Sequence, residues 1–151
     1  MHSKNNKKLL IINECDSKYL CITSCLFLIP FIGYYQYDIN VINALIYMSL
    51  ITFIASISYW YYPINGIRRY LDFSISNICC LSYILAALFI INCVYTKFFI
   101  FCILFTFTFF YYKSTSLYYL HNSIWVYYHM IFHLLVTLGK CVILYNINYY
   151  S

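Results

Sequence analysis

Long apolar runs alternate with short polar segments along this chain. Five such runs occupy residues 19–37, 41–62, 72–95, 98–112 and 122–145. A helix needs about 20 apolar residues to cross the roughly 30 Å hydrocarbon core of a bilayer. The pattern therefore predicts an all-α, multi-pass transmembrane bundle of about five helices over residues 19–147, after a short polar tail at residues 1–18.

The predicted ends of the helices follow from the polar and helix-breaking residues. Pro30 interrupts the first run, where neighbouring helices would have to cover the freed backbone groups. The segment 63–69 contains a proline, a glycine and two arginines, and it predicts the clearest loop. Thr96–Lys97 predicts a tight connection, and Lys113–Ser116 predicts a polar turn that leaves the fourth helix short.

The composition supports lipid as the main solvent of this protein. Apolar and aromatic residues make up 64% of the chain and charged residues only 9%, against about 25% charged residues in soluble domains. The 20 tyrosines and 13 phenylalanines are weak evidence about function, because their codons are A/T-rich and the bias can be genomic. Most of the eight cysteines lie in apolar runs without metal-ligand spacing, which favours packing.

The basic residues indicate a topology rather than a nucleic-acid partner. They lie at helix ends and form no basic face interleaved with aromatic residues. With the N-terminus inside, seven basic residues fall on the inner side and only Lys97 on the outer side. The positive-inside rule then predicts a cytoplasmic N-terminus and a C-terminus outside or in a lumen. The inner residues are Lys4, Lys7, Lys8, Lys18, Arg68, Arg69 and Lys113.

A polar stripe runs along the last predicted helix. His129 and His133 are four residues apart, so both imidazoles lie on one face and can reach one metal ion. Thr137 and Lys140 continue this face. A polar stripe in a membrane helix is expected to face the bundle interior. Helix packing by hydrogen bonds is the alternative for the histidines, and snorkelling toward the head groups is the alternative for Lys140.

The predicted topology brings other polar residues to the same depth as the histidines. Ser58 lies near the inner end of the second helix and Asp72 at the inner start of the third. His129 lies about 10 Å beyond the start of the last helix at 1.5 Å per residue. We therefore expect Ser58, Asp72 and the histidine pair in the inner half of one bundle. Asp72 has a second interpretation, as a helix-terminal carboxylate paired with an arginine.

These residues resemble a known superfamily. The segment SYWYYP at residues 58–63, continuing to Asp72, resembles the serine and aspartate region of the CREST superfamily, which includes alkaline ceramidases and progestin/adipoQ receptors. The segment HMIFHLLV at residues 129–136 resembles the HxxFHxLV signature of the receptor branch. The chain is also similar to small membrane proteins of large DNA viruses.

The resemblance implies a seven-helix bundle with zinc held by three histidines. Carried over, it makes His129 and His133 metal ligands, Asp72 a ligand or catalytic base, and Ser58 a catalytic residue that orients water or the carbonyl oxygen. The family's third ligand falls on Tyr62, so Asp72 or His121 would have to replace it. The implied cofactor is zinc and the implied substrate a membrane lipid amide.

Two functions follow from these patterns. The first is a CREST-like, metal-dependent hydrolase of lipid amides, or a degenerate relative of one. The second is a non-catalytic structural or interaction protein of the membrane, whose polar stripe holds helices together. For either function, the predicted partner of the chain is the lipid bilayer. Because five helices need not close a bundle, the prediction also includes an oligomer or a partner subunit.

Overall fold

The computed structural model describes residues 12–34, 40–63 and 66–150 as helices joined by short connections. Five stretches are long and apolar enough to cross a membrane, namely 14–33, 40–60, 67–89, 94–119 and 125–149. The predicted all-α bundle of about five membrane-spanning helices is therefore confirmed. The elements are α1 (Glu14–Ser24), a 3₁₀ turn (Cys25–Leu28), α2 (Ile29–Tyr34), α3 (Asn40–Trp60), α4 (Ile67–Phe89), α5 (Val94–Tyr119) and α6 (Trp125–Tyr150).

The first span is interrupted close to Pro30, as the sequence predicts. Proline has no N–H group for the helical ladder, and the chain tightens into a 3₁₀ turn just before it, where the Ile29 N–H donates to the Leu26 carbonyl. This span begins at Glu14 instead of Tyr19, so residues 14–18 of the predicted tail are helical. Residues 1–11 of the tail lie outside the described residues.

The predicted polar turn at Lys113–Ser116 is wrong, because α5 continues through it to Tyr119. This stretch contains no glycine or proline that would stop a helix. The Thr115 hydroxyl donates to the Tyr111 carbonyl of its own helix at 3.0 Å, which satisfies it inside the ladder. The fourth span is therefore a full-length helix and not the short one predicted from residues 98–112.

The connection between α5 and α6 is set by a helix-terminal motif. His121 has a positive φ of 53°. Its N–H donates to the Tyr118 carbonyl at 3.0 Å, and the Asn122 N–H donates to the Leu117 carbonyl at 3.1 Å. These two bonds form a Schellman motif, which ends α5 and turns the chain back. As a result α6 begins at Trp125, three residues later than predicted.

The third predicted helix, residues 72–95, is also displaced. The structure starts α4 at Ile67 and ends it at Phe89, so the connection to α5 is residues 90–93 and not Thr96–Lys97. Both of those residues belong to the first turn of α5. Lys97 still stabilises the connection, because its Nζ atom donates a hydrogen bond to the Leu88 carbonyl at the end of α4, at 2.9 Å.

The helices pack as two antiparallel pairs, α3 with α4 and α5 with α6, and the first span packs against α3 and α6. Gly139 lets α5 and α6 approach closely, because a Cβ atom there would lie 3.3 Å from Ile103 Cγ2. By contrast, α4 and α5 barely contact each other, although they are neighbours in sequence. This leaves a gap along the side of the bundle.

Two apolar clusters lie at opposite ends of the bundle. One joins Ile42, Leu45, Tyr83 and Leu144 with their neighbours. The other joins Leu20 with Tyr59 and Trp60 at the end of α3 and with Trp125 and Val126 at the start of α6. Successive spans therefore alternate in direction, and the second cluster marks the end at which α1 and α6 begin.

Candidate functional site

A cavity of about 800 Å³ lies inside the bundle and reaches from its tryptophan end to Lys140. Its walls come mainly from α3, α4, α5 and α6, and they contain many aromatic side chains. Lining residues inside α4 and α5, such as Phe73, Asn77 and Thr108, are also exposed. The cavity therefore opens along the gap between these two helices. Its ionisable and hydroxyl side chains include Ser56, Arg69, Asp72, Ser114, His129, His133 and Lys140.

Asp72 faces this cavity, where Ser56 binds it. The buried Ser56 hydroxyl donates to Asp72 Oδ1 at 2.5 Å, joining α3 to α4. Ser58 is exposed and does not line the cavity. Two residues correspond to about 200° of helical rotation, so Ser56 and Ser58 lie on opposite faces of α3. The cavity thus holds a serine–aspartate pair, but the serine is Ser56.

A polar stripe on α3 would have identified Ser56 from the sequence. Ser49, Thr52 and Ser56 follow one another at intervals of three and four residues, which places them on one face. All three are buried. The depth of Ser58 in the second helix placed it near the site, and the family resemblance implied its catalytic role, but Ser58 falls outside the stripe.

His129 and His133 lie side by side in the cavity, with ring centroids 4.8 Å apart. The Ser114 hydroxyl is 3.3 Å from His129 Nδ1 and also donates to the Trp125 carbonyl at 3.1 Å. Because a carbonyl can only accept, the tautomer of His129 that satisfies this arrangement carries its proton on Nδ1 and donates it toward Ser114. The Nε2 atom of His129 then carries a lone pair.

The same reasoning applies to His133. Its Nδ1 atom lies 3.1 Å from Thr23 Oγ1, and this hydroxyl is within 3.2 Å of the Tyr19 and Leu20 carbonyls, to which it donates. His133 Nδ1 is therefore the donor toward Thr23, and its Nε2 atom has a lone pair as well. The two histidines present two basic nitrogens on one face of α6, held by α1 and α5.

The residues do not form the zinc centre that the resemblance implies. In the described part of the chain, no three His, Cys, Asp or Glu side chains come together as a metal-ligand group. Tyr62 is exposed, and His121 lies in the α5–α6 connection without lining the cavity. Zinc sites in proteins use at least three protein ligands, so we derive no chemical step from a metal here.

The sequence allowed two environments for Lys140, the bundle interior and the head-group region. Only 4% of its surface is exposed, so it does not snorkel to the head groups. Its Nζ atom lies 4.8 Å from the centroid of the Phe27 ring and 5.5 Å from that of Tyr83. Within the described residues this atom has no hydrogen-bond partner.

Comparisons with family models, curated proteins and solved structures gave no match to this chain. Of the predicted site residues, Asp72, His129 and His133 line one cavity, and Ser58 lies outside it. Ser56 and Lys140 also line it.

The two serines of α3 provide a matched test of the site. Ser56→Ala removes the hydrogen bond to the Asp72 carboxylate, and we expect it to lower the free energy of unfolding by about 2 kcal/mol. Ser58→Ala removes an exposed hydroxyl and should change it by no more than about 0.5 kcal/mol. Equilibrium unfolding of the detergent-purified protein measures both, and equal effects would contradict the assignment of Ser56.

Proposed function

We propose that this multi-pass membrane protein binds a lipid-like amphiphile that reaches the cavity sideways, from the bilayer. The cavity itself carries the proposal, because it combines aromatic walls, buried polar groups and an opening between two membrane-spanning helices. Its volume of about 800 Å³ lies within the range of roughly 300–1,000 Å³ that is typical of small-molecule sites.

The chemistry of the walls supports an amphiphile over a polar solute. A gap between two membrane-spanning helices faces hydrocarbon, so a molecule that enters through it has to carry an apolar chain. Phe73, Phe107 and Phe132 provide apolar contact area for such a chain. The two histidines, on the same face of α6 as Lys140, offer hydrogen-bonding groups for its polar end.

Tryptophan fluorescence can test this proposal directly. Trp60 and Trp125 are the only two tryptophans of the chain, and both line the cavity. A brominated long-chain alcohol should quench them with a saturable component, because it places bromine next to the indoles. We expect Ser76→Phe, which adds a ring to the cavity wall on α4, to remove that component.

Ser74→Phe is the matched control, because Ser74 lies on the same helix, is exposed and does not line the cavity. This variant should keep the quenching of the unmodified protein. Quenching that rises linearly with lipid concentration in all three proteins would show only contact with bulk lipid, and it would overturn the proposal.

The second candidate is a CREST-like hydrolase of lipid amides. One observation favours it: the Nδ1 atoms of His129 and His133 are both held by hydroxyls, and the free Nε2 atoms have the form that metal ligands require. We expect no stoichiometric zinc in the detergent-purified protein, because a third ligand is missing from the described residues. Metal analysis that finds zinc, and loses it in the His129→Ala/His133→Ala variant, would favour the hydrolase instead.

A non-catalytic role in structure or interaction remains the alternative to both. The hydrogen bonds of His129 to Ser114 and of His133 to Thr23 join α6 to α5 and to α1. Such contacts average about 0.6 kcal/mol in membrane bundles. If the purified protein shows neither saturable lipid binding nor zinc, this packing function is sufficient to account for the two histidines.

We further propose that the tryptophan end of the bundle faces the cytoplasm. Lys18, Arg68, Arg69 and Lys113 lie toward this end of their helices, and Lys97 lies at the other. The positive-inside rule supports this orientation. Cysteine labelling from one side of sealed vesicles tests it, with single cysteines introduced at Arg68 and at Tyr95 in a cysteine-free background.

A further inference from the structure

The ammonium group of Lys140 lies far from the carboxylate that shares its cavity. Lys140 of α6 contacts the ring of Tyr83 on α4. Asp72 lies on the same helix as Tyr83, eleven residues before it. At 1.5 Å per residue this is a distance of about 16 Å along the helix. Asp72 is also already bound by Ser56. The carboxylate of Asp72 is therefore not the counter-ion of Lys140.

The other groups around Lys140 do not balance its charge. Phe27 and Tyr83 contribute only ring faces. No fixed negative charge is carried by the nearby side chains of Cys80, His133 and Cys141. Within the described residues, Thr137, three residues before Lys140 on the same side of α6, also has a buried hydroxyl without a hydrogen-bond partner. A buried cation is normally paired with an anion. An unpaired, buried ammonium on a residue that lines a cavity thus indicates a ligand with a negative charge.

We propose that Lys140 binds the anionic head group of a single-chain lipid, whose chain extends along the aromatic walls to the gap between α4 and α5. This inference deepens the proposed function, because it specifies the head group of the bound amphiphile. A carboxylate suits the site better than a phosphate monoester, because one ammonium matches one negative charge and the phosphate carries −1.5 to −2. Arg69, the other basic residue of the cavity besides the histidines, lies near the start of α4.

The test compares three brominated ligands with the same chain length in the tryptophan quenching assay. They are a fatty acid, the corresponding alkyl phosphate and the corresponding alcohol, at a pH at which the acid is ionised. We expect the purified full chain to bind the acid at least about ten-fold more tightly than the alcohol, as one charge-assisted hydrogen bond allows. The phosphate should bind more weakly than the acid.

Variants then assign this preference to one lysine. Lys140→Met should bind the acid and the alcohol with similar affinity, and its circular dichroism spectrum shows whether it is folded. Lys113→Met, at an exposed position outside the cavity, should keep the full preference for the acid.

The outcomes separate this inference from the proposed function. Saturable binding of the alcohol without a preference for the acid overturns the role of Lys140 and leaves the lipid site in place. A preference that survives in Lys140→Met also overturns it. Absence of saturable binding for all three ligands overturns the proposed function, and the inference with it. Tighter binding of the alkyl phosphate than of the fatty acid would overturn the carboxylate as the head group and indicate a phosphate.

Discussion

Replacing Gly139 with leucine is expected to lower the free energy of unfolding by about 3 kcal/mol, the upper end of the usual cost of overpacking. A Cβ atom at this position already lies 3.3 Å from Ile103 Cγ2, and a leucine adds three more carbon atoms at the interface of α5 and α6. Close approach at a small residue is a main source of helix association in membranes. The two helices would have to move apart.

Gly33→Leu is the control, because a Cβ atom at Gly33 meets no atom within 4 Å and this residue is exposed on α2. It should be neutral or slightly stabilising, since leucine forms helices better than glycine. Unfolding in mixed micelles with increasing SDS, followed by circular dichroism, measures both variants. A similar loss of stability for the two would mean that the α5–α6 contact does not depend on Gly139.

Lys140→Met is expected to raise the free energy of unfolding of the lipid-free protein by about 2 kcal/mol. Burial of an ammonium without a counter-ion costs several kcal/mol, and its contacts with the Phe27 and Tyr83 rings return only about 0.5–2 kcal/mol. Methionine keeps most of the volume of lysine and removes the charge. The cost of burying the ammonium exceeds the gain from its ring contacts, so the variant is expected to be more stable.

The same measurement with and without a fatty acid gives an internal control. The ligand should stabilise the unmodified protein, since binding to the folded state raises stability, and it should stabilise Lys140→Met much less. Lys113→Met should behave like the unmodified protein in both conditions. A Lys140→Met variant that is less stable than the unmodified protein without lipid would contradict an unpaired charge at this position.

The number and type of helices could be predicted from the sequence because lipid imposes a simple rule, a long apolar run for each crossing. The ends of the helices were harder to predict. Lys113–Ser116 looks like a turn by composition, but the Thr115 hydroxyl is satisfied by the helix itself and the chain turns only at His121. Local polarity is therefore a weaker stop signal than backbone geometry.

The candidate site was predictable where periodicity determined the face of a helix. His129, His133 and Asp72 were expected to share one region, and they line one cavity. Ser58 was expected from its depth and from the family pattern, neither of which determines the face of α3, and the buried stripe of α3 contains Ser56. The contacts of Lys140 depend on Phe27 and Tyr83 from two other elements, and one helical stripe cannot determine these neighbours.

The distribution of the hydrogen bonds has a consequence for assembly in the membrane. Ser56 with Asp72 and Ser49 with Tyr83 lie within the α3–α4 pair. His129 with Ser114 and Asn146 with Thr96 lie within the α5–α6 pair. Each pair can thus leave the insertion machinery with most of its polar groups satisfied, in accord with a two-stage process of insertion followed by association. His133 and Lys140 are the exceptions. His133 bonds to Thr23 of α1, and Lys140 becomes buried only when α6 meets the 3₁₀ turn at Phe27 and α4 at Tyr83. This docking is therefore the step of assembly that we expect to be most sensitive to a bound lipid.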